Sequence, residues 1–154
     1  MPRTVVANNR KAFHDYHIDE KVEAGIVLAG TEVKSLRNGR ANLRDAYAGE
    51  MEGELYLFNV HIPEYNGGNR FNHEVKRPRK LLLRRREMGR LLGAVQRKGY
   101  TLVPLSLYFN ERGKAKVELG VAFGKKLYDK REANKERDWN REKERLLRHN
   151  SREG

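Results

Sequence analysis

The chain contains no cysteine in its 154 residues. This absence excludes a disulfide framework, a thiolate zinc site and a cysteine nucleophile. Long apolar runs are missing too: the longest, near residues 100–109, is interrupted by Pro104 and Ser106 and is too short to span a bilayer as a helix. The N-terminal residues show no apolar stretch followed by a small-residue cleavage site. We therefore expect a soluble, cytoplasmic protein.

Signatures of catalysis are also scarce. The sequence has no GxSxG, GxxxxGK[ST] or GxGxxG motif, and its histidines lack the spacing of metal ligands. His14 and His17 could form a general-base pair of the kind that a small ribonuclease uses. Scattered histidines are more often structural, so we predict no catalysis, no metal and no cofactor.

Positive charge is abundant and unevenly distributed. The formal net charge is +12, from 33 Lys and Arg against 21 Asp and Glu. Residues 76–98 hold ten of the bases and a single acid, Glu87, while residues 124–154 hold eleven bases and seven acids. A localised basic stretch is typical of nucleic-acid binding, whereas lysines that serve solubility alone are usually mixed with acids. The only Trp, Trp139, lies in a charged segment, which argues against a membrane-binding helix.

Apolar periodicity predicts a mainly β fold with small flanking helices. Strands are expected at residues 17–28, 46–48, 54–60, 80–83, 101–109 and 114–123, the leucines at 81–83 being core residues. Helices are expected from Asn8-Asn9 through Phe13, over residues 31–38 with Thr31 as N-cap, and around Met88, Leu91, Leu92 and Val95.

The last two strands give the clearest hairpin. Val103, Leu105, Leu107 and Phe109 alternate along the first strand and are expected to share one face. Short alternating strands with regular turns favour a small barrel. Beyond residue 123 large apolar side chains become rare, so we divide the chain into a barrel, 1–123, and a basic tail, 124–154. The tail is expected to be disordered alone and to become ordered on a partner.

Four ordered segments resemble the SmpB (SsrA-binding protein) family. They are Glu23-Ala24-Gly25-Ile26 with Gly30-Thr31-Glu32-Val33-Lys34-Ser35-Leu36-Arg37, then Arg77-Pro78-Arg79-Lys80-Leu81-Leu82-Leu83, then Gly99-Tyr100-Thr101-Leu102-Val103-Pro104-Leu105, and finally Gly124-Lys125-Lys126 with Asp129-Lys130-Arg131. The resemblance implies an OB-like closed antiparallel β-barrel with a basic C-terminal tail that becomes helical on the ribosome. It also implies binding of the tRNA-like domain of transfer-messenger RNA (tmRNA, or SsrA RNA) and its delivery to the A site of stalled ribosomes for trans-translation.

The resemblance assigns roles to particular residues. The tmRNA-binding set that it implies is Asn9, Arg10, Glu32, Lys34, Arg37, Arg77, Arg79, Lys80 and Arg85. Within it, Glu32 would accept hydrogen bonds from a base edge, although an acid in the first turn of a helix also suits the helix dipole. The ribosome-binding tail set is Lys125, Lys126, Tyr128, Asp129, Lys130, Arg131 and Trp139. Tyr128 stands where many family members have His.

The implied partners are tmRNA and the stalled ribosome, through small-subunit RNA near the decoding centre and the mRNA channel. Elongation factor Tu and alanyl-tRNA synthetase would be indirect partners through tmRNA, and no membrane is involved. An alternative is a ribosomal or ribosome-assembly protein with an OB barrel and a basic tail, which would bind ribosomal RNA only.

Overall fold

The computed structural model describes residues 3–65, 72–124 and 135–147. Its elements are β1 (Thr4–Asn8), α1 (Arg10–Asp15), β2 (Tyr16–Ile26), α2 (Gly30–Arg37), β3 (Tyr47–Met51), β4 (Glu54–Phe58), β5 (Arg79–Leu82), α3 (Arg85–Lys98), β6 (Thr101–Phe109) and β7 (Ala115–Gly124). Residues 135–147 form a further helix, α4. The chain divides into two compact units, 1–123 and 124–154.

The seven strands form one sheet in the order β1-β6-β3-β4-β5-β2-β7. Because β6 also pairs with β7, the sheet closes on itself. One edge of β6 is shared: Leu102 pairs with Ala48 of β3, while Ser106 to Phe109 pair with β1. Closure protects strand edges from pairing with other chains. The expected mainly β, ring-closing architecture is confirmed.

The expected alternation along β6 is wrong. The β6–β7 register shifts between Pro104 and Ser106, and such a bulge reverses which face the following side chains occupy. Leu102 and Leu107 therefore belong to the main core. Val103 and Leu105 instead pack with Ala12 of α1 in a second, smaller cluster on the other face.

Two local predictions also need correction. The N-cap of α2 is Ala29 rather than Thr31, and the Ala29 N–H donates to Glu32 Oε1 at 2.8 Å. The carboxylate thereby supplies half of a capping box. The turn between β3 and β4 is shorter than expected, because Glu52 and Gly53 both take positive φ, 54° and 77°, as a two-residue hairpin turn requires.

The core of the first unit is aliphatic. Leu36 of α2 and Leu91 of α3 are buried against strand residues such as Leu55, Leu57 and Leu81. The two helices thus cover the same barrel core and place their polar faces on the surface.

Candidate nucleic-acid interface

A buried acid, Glu32, joins α2 to β5. Its side chain is 0% exposed. Oε1 accepts from Arg77 Nη2 and Oε2 from Arg79 Nε, each at 2.5 Å. Charge-assisted bonds of this kind are the strong ones. We call Glu32, Arg77 and Arg79 the Glu32 triad.

The triad keeps Glu32 ionised. Burial raises the pKa of the Glu32 carboxyl, but hydrogen bonds from Arg77 and the Ala29 N–H, with the charge of Arg79, outweigh burial and hold the pKa below its usual value. Burial likewise lowers the pKa of the Arg79 guanidinium, and Glu32 counters this in part. Arg remains charged in proteins, so the triad has two positive charges and one negative charge.

The Arg79 side chain lies in the interior of the protein. Its side chain is fully buried and donates to the carbonyls of Val60 at 2.6 Å and Val75 at 3.0 Å, with a longer contact of 3.4 Å to Glu74. These bonds fix the segment before β5 to the end of β4. Arg79 therefore satisfies the carbonyl of the buried Val60, which would otherwise need another donor. The carbonyls of Val75 and Glu74 also accept main-chain N–H groups, from Ile62 and Arg77.

Further polar contacts attach this segment to α2. His73 is buried, with Nδ1 2.9 Å from Thr31 Oγ1 and Nε2 2.8 Å from the Ile62 carbonyl. Ser35 donates to the Pro63 carbonyl at 2.8 Å. The segment around the triad is thus held in place at several points, which favours a surface of fixed shape.

Asn9 lies elsewhere in the barrel and is also buried. Its amide nitrogen donates to the carbonyls of Leu43 at 3.1 Å and Pro104 at 2.9 Å. Its oxygen accepts from the Ala12 N–H at 3.2 Å as the N-cap of α1. Both the nitrogen and the oxygen of its side-chain amide are hydrogen-bonded inside the protein, so an RNA contact of Asn9 stays a prediction that its burial does not favour.

The remaining members of the tmRNA-binding set lie at the surface. Arg10 begins α1 and Arg85 begins α3, and both are exposed. Lys34 and Arg37 are exposed on α2, and Lys80 is half-buried on β5 beside Tyr56 of β4. Lys34 Nζ lies 5.6 Å from the centre of the Tyr65 ring. The structure therefore gathers α2 and β5 at the triad, while Arg10 and Arg85 come from other elements.

The charge of the central stretch is partly neutralised within the fold. Arg90 Nη1 lies 2.7 Å from Glu20 Oε2, and the two exposed side chains link α3 to β2. The hydrogen bond from Arg90 is the main reason that the pKa of Glu20 is lowered. Together with the triad, this pair reduces the charge available to a ligand below what the sequence count suggests.

The expectation that residues 81–83 are core residues is wrong for Leu82. Leu81 is buried, but Leu82 is 53% exposed on the outer face of β5. A cavity of about 310 Å³ lies beside it, lined by Gly25, Phe109, Lys114 and Lys116 among others. Strand alternation could have signalled this, because neighbours in a strand point to opposite faces. Leu82 is thus an exposed apolar side chain close to Lys114 and Lys116, which the sequence analysis missed.

His14 and His17 have separate surroundings. His14 Nδ1 lies 2.9 Å from Asp15 Oδ1 at the end of α1. The His17 ring packs against the Phe123 ring with centroids 5.3 Å apart. The His14 side chain is exposed and the His17 ring packs on Phe123, and neither arrangement supports a general-base pair of the two histidines.

Of the tail set, only Trp139 is among the described residues. It lies on α4 and is 61% exposed, and Leu146, seven positions later, is 60% exposed. Lys125, Lys126, Tyr128, Asp129, Lys130 and Arg131 lie outside the described residues. The disorder expected of the free tail stays a prediction.

Neither a cluster of metal ligands nor a membrane-spanning helix is found among the described residues. Residues 3–65, 72–124 and 135–147 contain no group of three or more His, Cys, Asp or Glu side chains that could hold a metal ion. In the same ranges, no helix has the length and apolar character needed to cross a membrane.

Comparisons with known proteins agree on one family. The family model described as SmpB protein matches residues 6–149. The SsrA-binding protein of Methylobacterium sp. (strain 4-46) is 64% identical over 146 residues, which cover 95% of this chain and 93% of that protein. The SsrA-binding protein of Bradyrhizobium diazoefficiens is 62% identical over 147 residues, or 96% and 94% of the two chains.

A solved structure gives the same result. It is described as "tmRNA-SmpB: a journey to the center of the bacterial ribosome", is 55% identical to this chain, and superposes with a TM-score of 0.65 over 77% of this chain and 82% of that one. With the family model and the curated relatives, this shows that the chain belongs to the SmpB family.

Proposed function

We propose that this chain binds tmRNA through its tRNA-like domain and acts in trans-translation on stalled ribosomes. One observation carries the proposal: nearly the whole chain matches relatives named for SsrA binding, one of them 64% identical. The description of a matching solved structure names tmRNA-SmpB and the bacterial ribosome. The net charge of +12 suits a polyanionic partner.

The RNA-binding surface of the barrel comprises the members of the set that reach solvent. They are Arg10, Lys34, Arg37, Arg77, Lys80 and Arg85. Their cationic groups suit phosphate oxygens, and a guanidinium can also stack on an unpaired base. Leu82 would add an apolar contact to this surface. The buried members, Asn9, Glu32 and Arg79, serve chiefly to hold the surface in shape.

The tail has a separate role. We assign Lys125, Lys126, Tyr128, Asp129, Lys130, Arg131 and Trp139 to the empty mRNA channel and the nearby small-subunit RNA. The exposure of Trp139 and Leu146 on α4 supports a receiving surface on a partner, since exposed large apolar side chains are unfavourable in water.

The protein has no catalytic step of its own in this proposal, and it acts in the cytoplasm, where ribosomes stall. Elongation factor Tu and alanyl-tRNA synthetase take part only through tmRNA. The tail occupies the empty mRNA channel, where a codon would otherwise be read. The protein therefore contributes a shape and a charge to the ribosome and no reaction of its own.

A competition gel shift tests the proposal. Labelled tRNA-like domain of tmRNA is bound at physiological salt and challenged with excess elongator tRNA, since such affinities depend strongly on salt. Binding that survives the competitor supports tmRNA as the ligand. Complete displacement by elongator tRNA would contradict it and would favour a ribosomal RNA-binding protein.

A further inference from the structure

Arg77 and Arg79 lie two positions apart, with Pro78 between them. Proline disfavours helical backbone at the preceding residue, and in an extended chain residues i and i+2 point to the same side. Both guanidinium groups therefore reach the same carboxylate, Glu32, from one side of the chain. Their exposure differs: the Arg79 side chain is 0% exposed and that of Arg77 is 36% exposed.

This difference decides where the extra charge of the triad is available. Arg79 donates its hydrogen bonds to Glu32 and to main-chain carbonyls in the interior. Arg77 binds Glu32 through Nη2, which also lies 3.5 Å from the Val27 carbonyl. Arg77 Nη1 has no acceptor among the described residues. The surplus positive charge of the triad is therefore offered to solvent by Arg77.

We propose that Glu32 is a positioning residue, which holds the Arg77 guanidinium so that its Nη1 edge is presented to a phosphate of the bound RNA. This inference rests on the proposed function and assigns Glu32 an indirect part in it. A flexible arginine loses conformational freedom when it binds a phosphate, whereas one already fixed loses less. Glu32 can impose such order because it is itself fixed by the Ala29 N–H and by Arg79.

The rival is direct contact between Glu32 and a base. Both carboxylate oxygens are already occupied, Oε1 by Ala29 and Arg77 and Oε2 by Arg79. A base could reach Glu32 only if Arg77 moved away, which would leave the surface guanidinium without its partner. Direct contact and positioning therefore predict different coupling between residues 32 and 77.

A double-mutant cycle separates them. The affinity of the full chain for labelled tRNA-like domain is measured for the wild type, Glu32→Gln, Arg77→Gln and the double variant. Positioning predicts that each single substitution weakens binding by about tenfold and that the double variant binds no worse than Arg77→Gln. Additive losses, or an unchanged affinity in Glu32→Gln, would overturn the proposal.

Arg77→Lys covers the case in which Glu32→Gln fails to fold. Lysine keeps the charge but has no planar fork to bind Glu32 and a phosphate together, so we expect binding to weaken about tenfold, as for Arg77→Gln. Wild-type affinity for Arg77→Lys would overturn the proposal. Arg112→Gln, in the exposed β6–β7 turn, is the matched control and sets the loss due to removal of one surface charge.

Failure of the proposed function can be distinguished from failure of the positioning role of Glu32. If the wild type does not bind the tRNA-like domain in preference to elongator tRNA, the assignment of tmRNA is wrong. If the wild type binds it selectively and the cycle is additive, only the positioning role of Glu32 is wrong.

Discussion

Asn9 donates its side-chain amide to the carbonyl of Pro104, 95 positions away, at 2.9 Å. The same nitrogen reaches the Leu43 carbonyl, and the side-chain oxygen caps α1. One asparagine thus joins the N-terminal helix to the bulged part of β6 and to the segment before β3.

Replacement of Asn9 with alanine should therefore affect stability. Loss of the cap and of two buried hydrogen bonds should lower the free energy of unfolding by about 2–4 kcal/mol, measured by urea denaturation. Asn8→Ala is the matched control, because Asn8 is exposed at the end of β1, and it should change stability far less. Equal effects of the two substitutions would contradict the assigned role of Asn9.

Leu81 and Leu82 should respond oppositely in two assays. Leu81→Ala removes a buried side chain and should cost about 2–5 kcal/mol of stability. Leu82→Ala removes an exposed one and should cost less than about 1 kcal/mol, yet it should weaken binding of the tRNA-like domain. Unfolding curves and gel shifts on the same preparations would check this, and undiminished RNA affinity in Leu82→Ala would exclude Leu82 from the interface.

The Glu32 triad should make stability depend on pH. Since the pKa of Glu32 is lower in the folded protein than its usual value of 4.5, its ionisation stabilises the fold above that value and the contribution is lost as pH falls through the folded pKa. The stability difference between the wild type and Glu32→Gln should therefore shrink below pH 4.5. Urea unfolding at pH 7, 5, 4 and 3 measures it, and a difference that is constant with pH would contradict the ion pair.

Two kinds of glycine should respond differently to alanine. A Cβ at Gly120 would lie 3.1 Å from the nearest atom of Leu105, and such overpacking should cost about 1–3 kcal/mol. Gly93, inside α3, has no atom within 4 Å of a new Cβ, so Gly93→Ala should raise stability by about 0.5–1 kcal/mol. Thermal unfolding compares them, and a stabilised Gly120→Ala would show that the β6–β7 contact is looser than described.

The tail should be separable from RNA binding by the barrel. Deletion of residues 129–154 should leave affinity for the tRNA-like domain nearly unchanged and abolish peptide tagging in a reconstituted translation assay. Trp139→Ala should reduce tagging in the same direction, with Trp139→Phe as the conservative control. Parallel loss of RNA affinity and tagging would mean that the tail is an RNA-affinity element.

Local patterns predicted much of the barrel. The β6–β7 hairpin, the apolar face of α3 and the Gly99 terminus of that helix depend on neighbours in sequence, which periodicity and turn residues report. The bulge in β6 was missed although Pro104 is a local signal for it, because proline within a sheet is confined to strand edges and bulges. A contact distant in sequence also meets the bulge there, since the Asn9 N–H donates to the Leu105 carbonyl at 2.9 Å.

Local sequence patterns could not predict the interior of the candidate site. Glu32 and Arg79 are 47 positions apart, and only the folded barrel shows that they neutralise each other away from solvent. Residue type and the family resemblance both marked Glu32 as unusual, but neither could tell a surface acid from a buried one. Lys34 and Arg37 are exposed on α2, while the buried residues of that helix are Glu32, Ser35 and Leu36, and the RNA contacts assigned to the two exposed residues stay predictions.

The shared edge of β6 bears on how the protein is made. Residues 4–8 are synthesised before every other strand of the sheet, yet their strand partners, residues 106–109, follow about a hundred residues later. Contacts so distant in sequence close slowly, and β3 also waits for β6 to pair with Ala48. A chain that ends before residue 101 would lack β6 and β7, so that β1 has no partner and both β3 and β2 have an unpaired edge. Unpaired strand edges are prone to aggregate. The β-sheet of this chain thus closes only after translation has continued past β7.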